Sequence, residues 1–228
     1  TIMTYGQEAH NDAVLTLLPS GTVGSQFTIE YLGQTHGPIK LQVPGAHNAL
    51  NATAAFIAAL QQGCSSDECV AGLQSFTGTH RRFEFRGEIS GVRVFDDYAH
   101  HPDELHALIQ GVRDLYPDHR LSLVFQPHLY TRTRDLASAF GEVLSLADES
   151  VLLPIYPARE LPIEGVASEM LRSAKHPDGF SVIQKDALVD WVAGHWHQSL
   201  ATPQILVTAG AGDIDQLYPS ICKRLLRA

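Results

Sequence analysis

Lysine is scarce in this chain of 228 residues: there are four, at positions 40, 175, 185 and 223. None follows a glycine or precedes serine or threonine. The Gly-Lys-[Ser/Thr] end of a phosphate-binding P-loop is therefore missing, and any ATP chemistry would need its phosphate grip from elsewhere. A net charge of −9 with no basic stripe argues against nucleic acid as a partner. No apolar stretch approaches the ~20 residues of a membrane-spanning helix, and no secretory signal pattern is present. The three cysteines, Cys64, Cys69 and Cys222, lack zinc-ligand spacing. They are expected to be small packing residues in a reducing cytoplasm. The chain also lacks an initiator methionine, and "TIMTYG" opens inside what reads as a strand, so a fragment of a longer protein is expected.

What is present is ordinary for a globular protein: 44% hydrophobic and 18% charged residues, in a length that allows one large domain or two small ones. Residues 2 to 43 read as strands, "IMTY", "AVLTLL", "QFTIEYL" and "PIKLQV", punctuated by Gly, Ser and Asn-Asp. Two helices follow, one from Gly45 to Gly63 and one capped at Ser65-Ser66. "TGTHRR" breaks the pattern and is the expected domain boundary, giving units 1–79 and 80–228.

Beyond it, "RFEFRGEISGVRVFDD" reads as a hairpin turning at Ser90-Gly91. Apolar strands then alternate with amphipathic helices: helices 103–116, 133–147, 167–174, 186–196 and 213–226, and strands 121–125, 150–156, 180–183 and 204–210. This predicts an α/β fold, a doubly wound Rossmann-like domain with a mostly parallel sheet. Ligands of such sheets sit at the carboxyl ends of the strands. The polar clusters "DDYAHHP", "QPHLYTRTR", "YPARE" and "GAGD" all fall there, which favours one composite site.

Each cluster has two readings. Asn48 and Asn51 share a helix face and could read a base edge such as adenine's, or Asn48 could simply cap the helix. Arg81 and Arg82 could grip a phosphate or carboxylate, or be solvated. His100, His101 and an aspartate could bind metal, although adjacent histidines at a turn rarely point the same way. Asp103 and Glu104 suit helix capping, which leaves Asp96 and Asp97 unexplained. His128, Tyr130, Arg132 and Arg134 at a helix start make an anion site suited to a carboxylate. "TAGAGD" at 208–213 is glycine-rich between strand and helix, a weak signal alone, because such glycines are often only a tight turn.

Together, "PGAHNALNATAA", "FTGTHRRFEFRGE", "DDYAHHPDEL", "FQPHLYTRTRDL", "ADESVLLPIYPARE" and "TAGAGDI" resemble the Mur ligases of peptidoglycan synthesis, in order and spacing over nearly the whole chain. The nearest likeness is to the branch that joins L-alanine to UDP-N-acetylmuramate. The resemblance implies that residues 1–79 are the end of a central ATPase domain and 80–228 the C-terminal α/β domain. It implies a bacterial cytoplasmic ligase using ATP with Mg2+, with UDP-N-acetylmuramate, L-alanine and ATP as partners. Asn48 and Asn51 would lie near adenine, and Arg82 and Asp97 near phosphate and ribose. Tyr98, His100, His128, Arg132 and Arg81 would line the L-alanine pocket. Relatives carry a basic residue where this chain has Leu129. A histidine could take the proton of the alanine amine, and which one is left open. No metal ligand is assigned within the chain. The alternatives are a ligase that recycles a whole tripeptide onto the same sugar, or a binding module without activity.

Overall fold

The computed structural model describes residues 2–19, 24–89, 91–173, 179–196 and 202–225. The chain divides into two compact units, Thr1–Gly78 and Thr79–Ala228, one residue from the expected boundary.

In the first unit, strands β1 (Tyr5–Gly6), β2 (Ala13–Leu18), β3 (Ser25–Tyr31) and β4 (Gln34–Leu41) form a sheet in sequence order. The β1–β2 pair is parallel and the others antiparallel. Alternation puts Ala13, Leu15, Phe27, Ile29, Ile39 and Leu41 on one face. Helix α1 (Ala46–Gln61) covers that face with Ala49, Ala52, Phe56 and Ile57, a helical repeat of apolar positions. Full burial of a side chain such as Phe56 contributes about 1.5–3 kcal/mol. Helix α2 (Ser66–Ser75) begins with a capping box: Glu68 N–H donates to Ser65 Oγ at 3.3 Å and Ser65 N–H to Glu68 Oε2 at 2.8 Å. Of the expected "IMTY" strand only Tyr5 lies in β1, and Thr4 N–H and hydroxyl donate to Asp12 Oδ2, at 2.7 and 2.9 Å. The expected "PIKLQV" strand starts earlier, at Gln34.

In the second unit, the hairpin of β5 (Glu84–Ile89) and β6 (Val92–Asp97) forms as expected, although Ser90 of its turn lies outside the described residues. With β7 (Arg120–Phe125), β8 (Glu149–Leu152), β9 (Phe180–Val182) and β10 (Gln204–Ala209) it makes a sheet of order β5-β6-β10-β7-β8-β9. Every pair from β6 onward is parallel. Two cores lie on opposite faces. One gathers Phe95, Leu123, Phe125, Ile205 and Val207 with α3 (Pro102–Leu115) and α5 (Ala137–Leu144). The other gathers Val94, Val124, Val151 and Leu206 with α6 (Leu188–Trp196) and α7 (Tyr218–Leu225). The doubly wound, mostly parallel sheet read from the sequence is therefore present.

Several boundaries differ. The expected helix 133–147 is two helices, α4 (Tyr130–Asp135) and α5, broken at Leu136. The expected helix 167–174 is one 3-10 turn, Ser168–Leu171, because buried Ser168 donates its hydroxyl to Leu153 O at 2.6 Å; Ala174 lies outside the described residues. The expected helices at 186–196 and 213–226 open as 3-10 turns, Lys185–Ala187 and Ile214–Leu217, and Leu226 lies outside the described residues. Strand β8 stops at Leu152, and Tyr156 makes an isolated bridge to His128.

Candidate functional site

The carboxyl ends of β6, β7, β8 and β10 carry two polar groupings of opposite character. The first centres on Arg81, which is buried with its backbone at φ 57°. Its Nε donates to Asp96 Oδ2 at 3.0 Å, Nη2 to Gly210 O at 2.6 Å and Nη1 to Gly212 O at 3.1 Å. Asp215 Oδ1 stands 3.4 Å from Nη1. Asp96 accepts a second bond from the Thr208 hydroxyl at 2.6 Å. This guanidinium clamps the end of β6 to the glycine loop after β10.

Asp97 is likewise committed. Its Oδ2 accepts from Phe83 N–H at 2.6 Å and its Oδ1 from Ala99 N–H at 2.7 Å, fixing the loop that bears Arg82. Burial pushes its carboxyl above the ordinary carboxylate range, against those two bonds and the charge of Arg82. Arg82 itself is exposed.

Tyr98 stands between the groupings, its ring 5.1 Å from the Arg81 guanidinium and 5.4 Å, edge on, from His100. His100 Nδ1 lies 2.9 Å from Tyr98 O, and its N–H donates to Glu104 Oε2 at 2.8 Å. His101 forms the N-cap of α3, its Nδ1 accepting from Asp103 N–H at 3.4 Å while Glu104 bonds back to it. Capping thus accounts for Asp103 and Glu104 as read, and it takes His101 too. Among the described residues no three His, Cys, Asp or Glu side chains converge as a cation would need.

The second grouping follows β7. Four buried side-chain polar atoms lack a hydrogen-bond partner among the described residues: His119 Nδ1, Gln126 Oε1, His128 Nδ1 and Arg132 Nη1. Three of them fall within residues 126–132. Such atoms cost free energy unless something satisfies them. The His128 ring stacks on Tyr156 at 5.7 Å and meets the His100 ring edge on at 6.1 Å. Burial, then Arg132 and His100, pushes the His128 pKa below the ordinary imidazole value, with Glu160 opposing. These surroundings favour the neutral imidazole.

The anion site was expected to include the start of α4, and the structure corrects this. Glu160 occupies it: Oε2 accepts from Thr131 N–H at 3.0 Å and Oε1 from the Thr131 hydroxyl at 2.5 Å. The unpartnered atoms of His128 and Arg132 are left beside a helix start that Glu160 already fills. Leu129, at φ 74°, donates its N–H to Tyr156 O at 3.0 Å, a left-handed conformation that bends the chain from strand to helix.

Gln126 Nε2 donates to Asp213 Oδ1 at 3.0 Å, and Asp213 also pairs with Lys185. The glycines of "GAGD" are required by close approach. A Cβ at Gly212 would lie 2.5 Å from Gln126 Oε1 and 2.7 Å from the Tyr156 ring. The loop is thus a packing device against Gln126 and Tyr156. Gln126, Tyr156, Glu160 and Lys185 were not singled out from sequence. The first three lie inside quoted clusters, but only the fold shows what they touch.

In the first unit, Asn48 does not cap α1, whose N-cap is Gly45. Its Nδ2 donates back to Pro44 O at 2.7 Å. Asn51, one turn on, is exposed.

Comparison with known proteins finds relatives over nearly the whole chain. The family model for the glutamate ligase domain of Mur ligases matches residues 81–212. The UDP-N-acetylmuramate–L-alanine ligase of Renibacterium salmoninarum is 40% identical over 224 residues, covering 98% of this chain and 47% of the relative. The crystal structure of UDP-N-acetylmuramate-alanine ligase from Thermotoga maritima superposes with a TM-score of 0.77 at 25% identity, over 97% of this chain and 47% of that one. A murein peptide ligase from Psychrobacter arcticus shares the fold, with a TM-score of 0.67 at 21% identity over 99% of this chain and 46% of that one. The chain spans about half the length of the curated relatives it matches.

Proposed function

We propose, for a chain that belongs to the Mur ligase family, that it supplies the amino-acid-binding half of an ATP-dependent ligase joining L-alanine to UDP-N-acetylmuramate. The observation that carries the reading is the set of unsatisfied polar atoms on Gln126, His128 and Arg132. An amino-acid carboxylate would accept from Arg132 Nη1 and so satisfy a buried donor. Relatives at 38–47% identity that are named L-alanine ligases favour alanine over a tripeptide.

In the proposed reaction the muramate carboxylate takes the γ-phosphoryl group of ATP, releasing ADP. The alanine amine then attacks the acyl carbon and phosphate leaves. The amine must be neutral to attack. His128, whose neutral form burial and Arg132 favour, can take its proton. Arg132 would hold the carboxylate, and Tyr98 and His100 would wall the pocket. Arg81 is reassigned from that pocket to the clamp beneath it, because its donors are taken by Asp96, Gly210 and Gly212. Asp97 acts on the nucleotide through the Arg82 loop, since both its oxygens already accept backbone N–H groups. Base recognition by Asn48 and Asn51 remains part of the proposal. Among the described residues no cluster of three His, Cys, Asp or Glu side chains offers Mg2+ a site.

In the full-length enzyme, Arg132→Ala should raise KM for L-alanine roughly ten- to a hundredfold, as loss of a charge-assisted bond implies, and move KM for ATP far less. Equal effects on both substrates would contradict the assignment. This chain alone should neither hydrolyse ATP nor form an amide bond, for want of a P-loop. Phosphate release above background, in a preparation free of full-length enzyme, would contradict that.

A further inference from the structure

Helix α4 starts without a cap of its own. Leu129 at the N-cap offers no side-chain acceptor, and the first turn has no acidic residue. The free N–H groups of a first turn need partners. They find one 29 residues away in Glu160, which takes both the N–H and the hydroxyl of Thr131. Glu160 is aimed by a tight turn closed by its own N–H on Pro157 O at 2.9 Å, with Ala158 at φ 50°. The same segment brings Tyr156, which stacks on His128, accepts from Leu129 N–H and donates its own N–H to Pro127 O at 2.8 Å. Residues 156–160 therefore brace the stretch that carries the unsatisfied atoms of His128 and Arg132.

We propose that Glu160 is a positioning residue for this pocket, acting on the bound amino acid through Thr131 and the first turn of α4 rather than by contact. The inference rests on the amino-acid reading of the pocket given above. Two consequences follow from the geometry. Glu160 fixes the turn from which Arg132 projects. Among the described residues it is also the one acidic group acting on His128, whose other charged neighbours there are Arg132 on α4 and His100 in the loop after β6. Glu160 thus keeps the imidazole more basic than Arg132, His100 and burial would leave it.

The test uses Glu160→Ala and Glu160→Gln in the full-length enzyme, with Arg132→Ala as reference. Glu160→Ala should raise KM for L-alanine about tenfold, the scale of one charge-assisted bond, and leave KM for ATP near its original value. Glu160→Gln keeps an acceptor for Thr131 and should recover most of that loss. It also removes the charge, so the acid limb of the kcat/KM profile for L-alanine and the His128 imidazole titration followed by NMR should both move to lower pH. Unchanged alanine KM in both variants, parallel changes in both substrates, or an unmoved His128 titration in Glu160→Gln would each overturn the proposal. If Arg132→Ala itself leaves the alanine KM alone, the amino-acid reading has failed instead. A downward His128 shift in Glu160→Gln would then still support control of the pocket by Glu160.

Discussion

Two groupings of charged side chains stand at the same edge of one sheet, and they differ in what is left over. Around Arg81, the guanidinium meets Asp96, Gly210 and Gly212, and Asp96 also meets Thr208. Around Arg132, a guanidinium nitrogen, an imidazole nitrogen and a carboxamide oxygen are buried with no partner among the described residues. A completed network rigidifies its surroundings, whereas an incomplete one stores a cost that a ligand can relieve. The comparison teaches that two arginines of equal promise in the sequence serve opposite ends. One builds the platform, and the other keeps a buried donor without a partner among the described residues, which the proposed reading gives to the substrate.

The largest expected effect tests the completed side. Arg81→Ala leaves Asp96 buried without its ion-pair partner and should destabilise the chain by about 3–5 kcal/mol in denaturant unfolding. A loss below that of an average surface substitution would erase the distinction. Next, Gly212→Ala pushes a methyl into Gln126 and Tyr156 and should cost about 1–3 kcal/mol. Arg132→Ala should change stability by no more than about 1 kcal/mol, or raise it, since it removes an unsatisfied buried donor. Strong destabilisation by Arg132→Ala would place it with Arg81.

The smallest effect is one of pH. In the folded chain His128 holds its proton more weakly than the ordinary value of 6.5. The stability this contributes is present above 6.5 and is lost as pH falls through the depressed value, because the unfolded chain then binds the proton first. His128→Gln should flatten that part of the stability profile. A profile unchanged by the substitution would mean that His128 titrates normally.

Much of the fold was legible in the sequence. Apolar runs bounded by turn residues marked β2, β3, β6 and β10, and Ser65-Ser66 marked the start of α2. The break at Leu136 was not legible, because no glycine or proline signals it. At the site, the residue types and the strand-end placement were legible, and the division of labour was not. Arg81 and Arg132 look alike until Gly210 and Gly212, from 129 and 131 residues away, fill the donors of one of them. The start of α4 likewise read as open to an anion, because Glu160 reaches it only through the fold.

The most direct test of the central claim is a titration of the isotopically labelled chain with L-alanine and with L-alaninamide, which lacks the carboxylate. The His128 ring, the Arg132 Nε–H and the Arg81 Nε–H are followed by NMR. L-alanine should shift His128 and Arg132 and raise the His128 pKa, because a nearby anion favours the imidazolium. L-alaninamide should do neither, and Arg81 should stay where it is in both. Equal responses to the two ligands, or a response at Arg81 in place of Arg132, would contradict the division between the completed network and the open one.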